Sequence, residues 1–191
     1  DHFGKDLTLV KEGEISMKWN KVTMSFLNVL NIDGRFMLFA YHTDWKTDLT
    51  IVYQQEIDRS TLMLKGEPKE LIKNQLADGQ KIFYSIQTSD NNSHIAFVGS
   101  MLVKGSENEQ FKITMYDSTM SKLWTKDIKL PYTEKQFFTS DYDVDNSGNF
   151  YILGKYYING LKEVKGGEAN PVLERILRAS SSASSHARPK A

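Results

Sequence analysis

Three short apolar runs stand out of an otherwise mixed chain. They are Arg35-Phe36-Met37-Leu38-Phe39-Ala40-Tyr41, Ile95-Ala96-Phe97-Val98-Gly99 and Phe150-Tyr151-Ile152-Leu153-Gly154. Runs of this length fit strands buried on both faces, although periodicity alone also admits a short buried helix. The residues before them decide for strands. Asn31-Ile32-Asp33-Gly34, Asp90-Asn91-Asn92-Ser93 and Asp145-Asn146-Ser147-Gly148 precede the three runs. Such residues accept left-handed dihedrals and bond their own backbone, so they close hairpins. Other segments alternate: Phe111, Ile113 and Met115 interleave with Lys112, Thr114 and Tyr116, and Leu49, Ile51 and Tyr53 with Thr50, Val52 and Gln54. That is the period of a half-exposed strand. Only four prolines interrupt the chain, one of them near its end.

The pattern changes after Gly166-Gly167. Pro171-Val172-Leu173-Glu174-Arg175-Ile176-Leu177-Arg178 places Val172, Leu173, Ile176 and Leu177 on one side of two helical turns, with Pro171 suited to a first helical position. From Ala179 the sequence holds no large apolar residue, which predicts a disordered tail. The expected division is a β domain over residues 1–165, then a linker, short helix and tail over 166–191.

The apolar runs repeat together with their surroundings. Without a gap, Phe83 falls on Phe138, Ser85 on Ser140, Asp90 on Asp145, Asn91 on Asn146 and Gly99 on Gly154, an offset of 55 read from the sequence. An earlier copy lies 59 residues upstream, with Phe36 on Ile95, Leu38 on Phe97, Val52 on Phe111 and Asp58 on Asp117. The units run roughly over 26–80, 83–135 and 138–165. The first two read as a buried hairpin, an alternating strand, an Asp-led turn and a further strand.

Four antiparallel strands per unit predict an all-β chain of β-propeller-type blades, with a β-sandwich or meander as the competing architecture. Blades cannot cover their own faces and need neighbours. Closed propellers use roughly 4–8 blades, so about three units predict a partial propeller. Residues 7–25, with Leu7, Leu9, Ile15, Met17 and Trp19, are expected to be outer strands of a preceding blade. The last unit lacks an alternating third strand. Its open face should therefore meet another chain, the 172–177 segment or further blades, and self-association through open blade faces is one expectation.

Two stretches carry a resemblance. One is Tyr53-Gln54-Gln55-Glu56-Ile57-Asp58-Arg59-Ser60-Thr61-Leu62 followed by Lys65-Gly66-Glu67-Pro68. The other runs from Tyr116-Asp117-Ser118-Thr119-Met120 through Leu123-Trp124 and Leu130-Pro131-Tyr132 to Asp141-Tyr142-Asp143-Val144-Asp145-Asn146-Ser147-Gly148-Asn149-Phe150. Over residues 26–158 the chain resembles uncharacterised, exported, propeller-like proteins of Bacteroidota. The resemblance implies blades and a periplasmic, envelope or extracellular setting. It implies no reaction and assigns no residue a role.

Composition narrows the functions. There are 24 basic and 24 acidic residues, without the basic surplus of a nucleic-acid binder. There is no cysteine, hence no disulfide, thiolate metal site or cysteine nucleophile. No apolar run approaches the roughly 18 residues of a membrane helix, and the first residues do not form a basic-then-apolar leader.

Candidate chemistry is sparse. Asp141, Asp143 and Asp145 alternate, and from Asp143 the sequence reads Asp-x-Asp-x-Ser-Gly, the first half of a calcium loop that would use Asp141, Asp143, Asp145 and Ser147. The twelfth position is Gly154 rather than a bidentate Glu, and the flanks are strands, so a plain hairpin turn competes with calcium. Tyr41, His42 and Trp45 form an aromatic-polar group expected in a loop leaving a buried strand, where glycan or peptide is met, unless Trp45 tucks over the core. The histidines are scattered, and His94 reads as a solvated edge residue. The sequence therefore predicts a non-enzymatic, exported binding protein for a protein or glycan, without a required cofactor. The competing reading is a metal-dependent enzyme or calcium module built on the three aspartates.

Overall fold

The computed structural model describes residues 2–3, 6, 8–77, 79–103, 108–133, 135–157 and 172–181. Among them every regular element is a β-strand and all pairing is antiparallel. The chain is all-β, built on four-stranded sheets of the blade type. It divides into two compact units, Asp1–Asp78 and Gly79–Ala191, where the sequence reading placed one domain over 1–165.

In the first unit, β1 (His2–Phe3) pairs with β2 (Leu9–Lys11), and β3 (Lys18–Trp19) with β4 (Val22–Thr23). Then β5 (Ser25–Ile32), β6 (Arg35–Asp44), β7 (Leu49–Ile57) and β8 (Leu64–Gln75) form a meander in chain order. Asp33 and Gly34, both at positive φ (48° and 77°), close the two-residue turn that joins β5 to β6. Met37, Leu38, Phe39 and Ala40 are consecutive and all buried, so both faces of β6 are covered. Residues 9–23 form separate two-stranded hairpins rather than outer strands of a larger sheet. Leu9 is exposed, Trp19 lies half-buried 6.2 Å from the Tyr53 ring, and Leu7 falls outside the described residues.

In the second unit, β9 (Gln80–Thr88), β10 (His94–Val103), β11 (Asn108–Asp117) and β12 (Lys122–Thr133) repeat that meander. A third sheet holds β13 (Phe137–Val144), β14 (Phe150–Tyr157) and β15 (Val172–Ala179), in that order. Phe36, Ile95 and Phe150 thus occupy the same place, the start of the second strand of three successive sheets. One core joins the second and third sheets. Ala96, Val98, Phe111, Ile113 and Met115 of the second pack with Phe137, Val144, Phe150 and Ile152 of the third, and all are buried. Tyr142 stacks on Phe150 and meets Phe111 edge-on.

The segment expected to be a helix is β15. Its apolar residues suit a helical face as well as a strand. The open edge of β14 settles the matter by pairing every residue from Tyr157↔Val172 to Phe150↔Ala179. Eight residues are too few to hold a helix in water without packing. In the strand, Leu177 turns to the shared core and Ile176 to the other side, 70% exposed. The missing third strand of the last unit is therefore supplied from beyond Gly166-Gly167. Residues 158–165, expected as the end of the β domain, the expected linker from 166 to 171, and 182–191, most of the expected tail, lie outside the described residues.

The ungapped repeat hides two compensating shifts. Ser140 is an extra residue between the pairs Thr139↔Gly154 and Asp141↔Leu153, whereas Tyr84↔Gly99 and Ser85↔Val98 run on without a bulge. The turn after β13 is one residue shorter than that after β9, which restores the offset. Asp145 consequently stands where Ser89 stands, not Asp90. The Ser89 amide bonds the His94 carbonyl at 2.9 Å and the Asp145 amide bonds the Asn149 carbonyl at 3.0 Å.

Gly99 and Gly154 lie where a neighbour crosses the strand. A methyl group on Gly99 would meet Ile82 at 2.5 Å, and one on Gly154 would meet the Phe137 ring, which stacks on Tyr132. Ile82 and Phe137 are themselves repeat equivalents. Gly154→Ala should lower unfolding stability by about 1–3 kcal/mol, as overpacking does, read from urea melts. A strand over 172–179 further predicts unequal effects of two neighbouring truncations. Leu177→Ala should cost about 1–2 kcal/mol, a partly buried version of a core truncation. Ile176→Ala should stay within about 0.5 kcal/mol, as at other surface sites. A helix packed through both residues would make the two costs alike.

Candidate functional site

The Asp-led turns use their carboxylates on their own backbone. After β7, the Asp58 carboxylate accepts from the Ser60 hydroxyl and amide at 2.6 and 2.8 Å and from the Thr61 amide at 3.0 Å. After β11, Asp117 accepts from the Thr119 hydroxyl and amide and from the Ser121 amide. After β13, Asp145 accepts from the Ser147 and Asn149 amides, both at 2.9 Å, the Asn149 side chain at 2.6 Å and the Tyr151 hydroxyl at 2.9 Å. Donors aimed at a carboxylate favour its charged form. The Ser60 hydroxyl, then the Thr61 and Ser60 amides, hold Asp58 well below the usual carboxylate range. The Thr119 hydroxyl and the Ser121 amide lower Asp117. Around Asp145, desolvation by burial is the largest influence and raises the pKa. The Asn149 side chain and amide, the Tyr151 hydroxyl and the Ser147 amide together outweigh it and bring Asp145 down to about 2.

These bonds decide the place of the three alternating aspartates. Asp145 is spent on its turn, and Gly148 takes the positive φ of 75° that the turn needs. Asp141 and Asp143 lie on one face of β13, each accepting from the amide of the next residue at 2.8 Å. Ser147 enters the turn through its amide. The hairpin reading thus describes what Asp145, Ser147 and Gly148 do. Among the described residues no three His, Asp or Glu side chains converge on one cation position.

Asp141 and Asp143 instead border a recess of about 480 Å³, lined by Asp141, Tyr142, Asp143, Tyr151, Leu153 and Ile176. It lies on the outer face of the third sheet, the side turned away from the shared core. Directly paired residues share a face, and the rows are Asp143↔Tyr151↔Arg178 and Asp141↔Leu153↔Ile176. Around the recess one edge is acidic, the middle apolar and aromatic, and the far edge carries Ile176 and Arg178, while the next row of the same face is Phe138↔Lys155, both exposed. Arg178 also donates to the Asn149 side chain at 2.7 Å. The sequence pointed to the two aspartates but not to Leu153, Ile176 or Arg178. The sequence carries no clean signal for them, since Val172, Glu174, Ile176 and Arg178 on one side of a strand and Leu173, Arg175, Leu177 and Ala179 on the other each mix apolar and charged residues.

Tyr41 and His42 lie in a strand rather than in the loop that the sequence predicted. Tyr41 and His42 belong to β6, paired with Val52 and Ile51, and neighbours in a strand point to opposite faces. The His42 ring lies 3.2 Å from the Thr23 carbonyl. Trp45 sits in the β6–β7 turn, 60% exposed rather than tucked over the core. The apolar run extends further into the strand than its composition shows, which is why a loop was expected. His94 is half-buried, with its ring 2.8 Å from the Ser93 hydroxyl, not a solvated edge residue.

The turn carboxylates set a pH dependence. Asp145 has a folded pKa below its unfolded value of about 4. Its stabilisation is present above that value and is lost as pH falls towards about 2. Thermal melts between pH 7 and 2 should show the native chain losing stability over this window. Asp145→Asn should be less stable near neutrality and show a shallower fall in acid.

No family model matches the chain, and no curated protein matches it. Among solved structures it is similar to an endo-arabinase from Bacteroides thetaiotaomicron, with 9% identity and a TM-score of 0.45, over 86% of this chain and 60% of that one. It is also similar to an apocarotenoid oxygenase from Synechocystis, with 11% identity and a TM-score of 0.43, over 85% of this chain and 37% of that one. The chain thus spans less than two thirds of the length of either protein.

Proposed function

We propose that the chain acts by binding rather than by catalysis, as an interaction module whose contact surface is the outer face of the third sheet. The observation that carries this reading is a difference between equivalent positions. In the second sheet the pairs Ala96↔Met115 and Val98↔Ile113 are core beneath the third sheet. Their counterparts in the third sheet are Tyr151↔Arg178 and Leu153↔Ile176, of which Tyr151, Leu153 and Ile176 border an open recess. Accessible apolar surface grouped on one face, with charge at its edges, is the usual make-up of an interaction site. A protein or a glycan fits that make-up: Tyr151 offers an aromatic face and Asp141 and Asp143 offer acceptors. An exported or envelope setting rests on the resemblance to the Bacteroidota proteins.

The test uses gels cast with soluble polysaccharides, together with sedimentation of the chain against itself. The native chain should be retarded by at least one polysaccharide or gain mass with concentration. Leu153→Glu should abolish that behaviour while keeping the far-ultraviolet spectrum. Turnover of a polysaccharide by the native chain would overturn the reading. So would a Leu153→Glu variant that behaves as the native chain in every assay.

A further inference from the structure

We infer that the edge of β15 receives an extended peptide, which adds to the third sheet as a fourth strand. The first two sheets each have four strands, and their fourth places are held by β8 and β12. Among the described residues the third sheet ends at β15, which stands where β7 and β11 stand. Edge strands usually carry devices that deter further pairing, such as lysines, prolines and bulges. β8 has Lys65, Pro68, Lys69 and Lys73, and its ladder with β7 shifts twice. β12 has Lys122, Lys126, Lys129 and Pro131, and its ladder with β11 also shifts twice. β15 has neither lysine nor proline from Val172 to Ala179, and its ladder with β14 runs through without a shift. Of these three edges, β15 is the one left regular and receptive.

The ground beside β15 suits a lone strand. Trp124, Lys126 and Ile128 pair with Met115, Ile113 and Phe111, so they lie on the face of β12 turned to the third sheet. Lys126 donates to the Ser180 carbonyl just past β15, and Trp124 and Ile128 are half-buried. A strand added to β15 continues the third sheet over β12, with its inward side chains on Trp124 and Ile128. A second copy cannot offer its own β15 there, because the second sheet packed beneath that strand would need the place that β12 holds. The chemistry of the peptide follows. It runs antiparallel, as every pairing in the described residues does. It carries apolar side chains at alternate positions, and a carboxylate on the opposite side, across from the exposed Arg178. The bond from Arg178 to Asn149 uses one of five guanidinium donors and leaves others for that carboxylate. Main-chain bonds then supply affinity and the alternate side chains specificity. The site is the edge of the sheet rather than its outer face, so the inference stands apart from the binding surface proposed above.

Fluorescence anisotropy with the native chain tests this. The probes are labelled peptides as long as β15, with valine, leucine or phenylalanine at alternate positions and threonine and one glutamate between them. At least one should bind saturably. Two N-methylated forms of that peptide, each blocking one alternate set of amides, separate strand addition from general stickiness. The form whose blocked amides face β15 should bind roughly 10-fold more weakly or worse, and the other should bind like its parent. Arg178→Glu should weaken binding roughly 3- to 10-fold, and a lysine in place of the peptide's glutamate should restore it. Far-ultraviolet spectra confirm folding of the variant, and the N-methylated pair needs only the native chain. Amide hydrogen exchange should be fast at alternate β15 positions in the free chain and slow in the complex. Failure of every peptide to bind overturns the inference. So do N-methylated forms that bind alike, or binding that Arg178→Glu leaves unchanged. Full protection of the β15 amides in the free chain would show the place filled by the chain itself, and also overturns it.

Discussion

Everything in the second unit depends on the burial of one apolar face against another. β10 and β11 carry Ala96, Val98, Phe111, Ile113 and Met115 on a single side, and no strand of their own sheet can cover that side. The third sheet does so with Phe137, Val144, Phe150 and Ile152. At roughly 1.5–3 kcal/mol for each large side chain taken from water, this contact outweighs any hydrogen bond or ion pair in the unit. The polar features follow from it. Turns are tightened by carboxylates, glycines thin the strands where rings cross, and Thr139 reaches across the sheets to the Glu109 carboxylate at 2.5 Å.

The same constraint explains why β15 is a strand. The third sheet would end at β14 without it, leaving the inner side of Ile152 and Phe150 partly open beside the second sheet. Leu177 pairs with Ile152 and closes that side, while Lys126 of β12 bonds the carbonyl of Ser180 just past the strand. Local preference in 172–179 is weak, so packing and a vacant row of backbone groups decide its form. The cost of covering one side is a polar and apolar mixture on the other.

How far the sequence disclosed this varies with the physical cause. The blade-type hairpins were legible because apolar runs and Asn-Asp-Gly turns are local signals: Asp33-Gly34 and the start of all three second strands fall where they were expected. The β15 strand was not legible, since residues spaced to share a helical face also alternate well enough for a strand edge. Asp145 was read correctly as a turn former but matched to Asp90, because sequence cannot show that Ser140 is a bulge. Tyr41 and His42 were misplaced because nothing in their identity marks where β6 ends. Of the recess, only Asp141 and Asp143 drew attention. Leu153, Ile176 and Arg178 become neighbours solely through a strand that arrives from beyond Gly166-Gly167.

The bulge at Ser140 and the shortened turn after it bear on how such a chain can change over generations. A strand that gains or loses one residue turns every later side chain to the opposite side of its sheet. Tyr142 and Val144 would then leave the core, and Asp141 and Asp143 would enter it. An inserted residue between Phe137 and Phe150 is therefore tolerable only when the backbone sets one residue aside, as Ser140 is set aside. A length change in this hairpin and its remedy must become established nearly together or in sites only a few residues apart. Copies of the unit can look gap-free in sequence while their histories contain an insertion and a deletion. Drift in the repeat is consequently recorded in backbone register more faithfully than in letters.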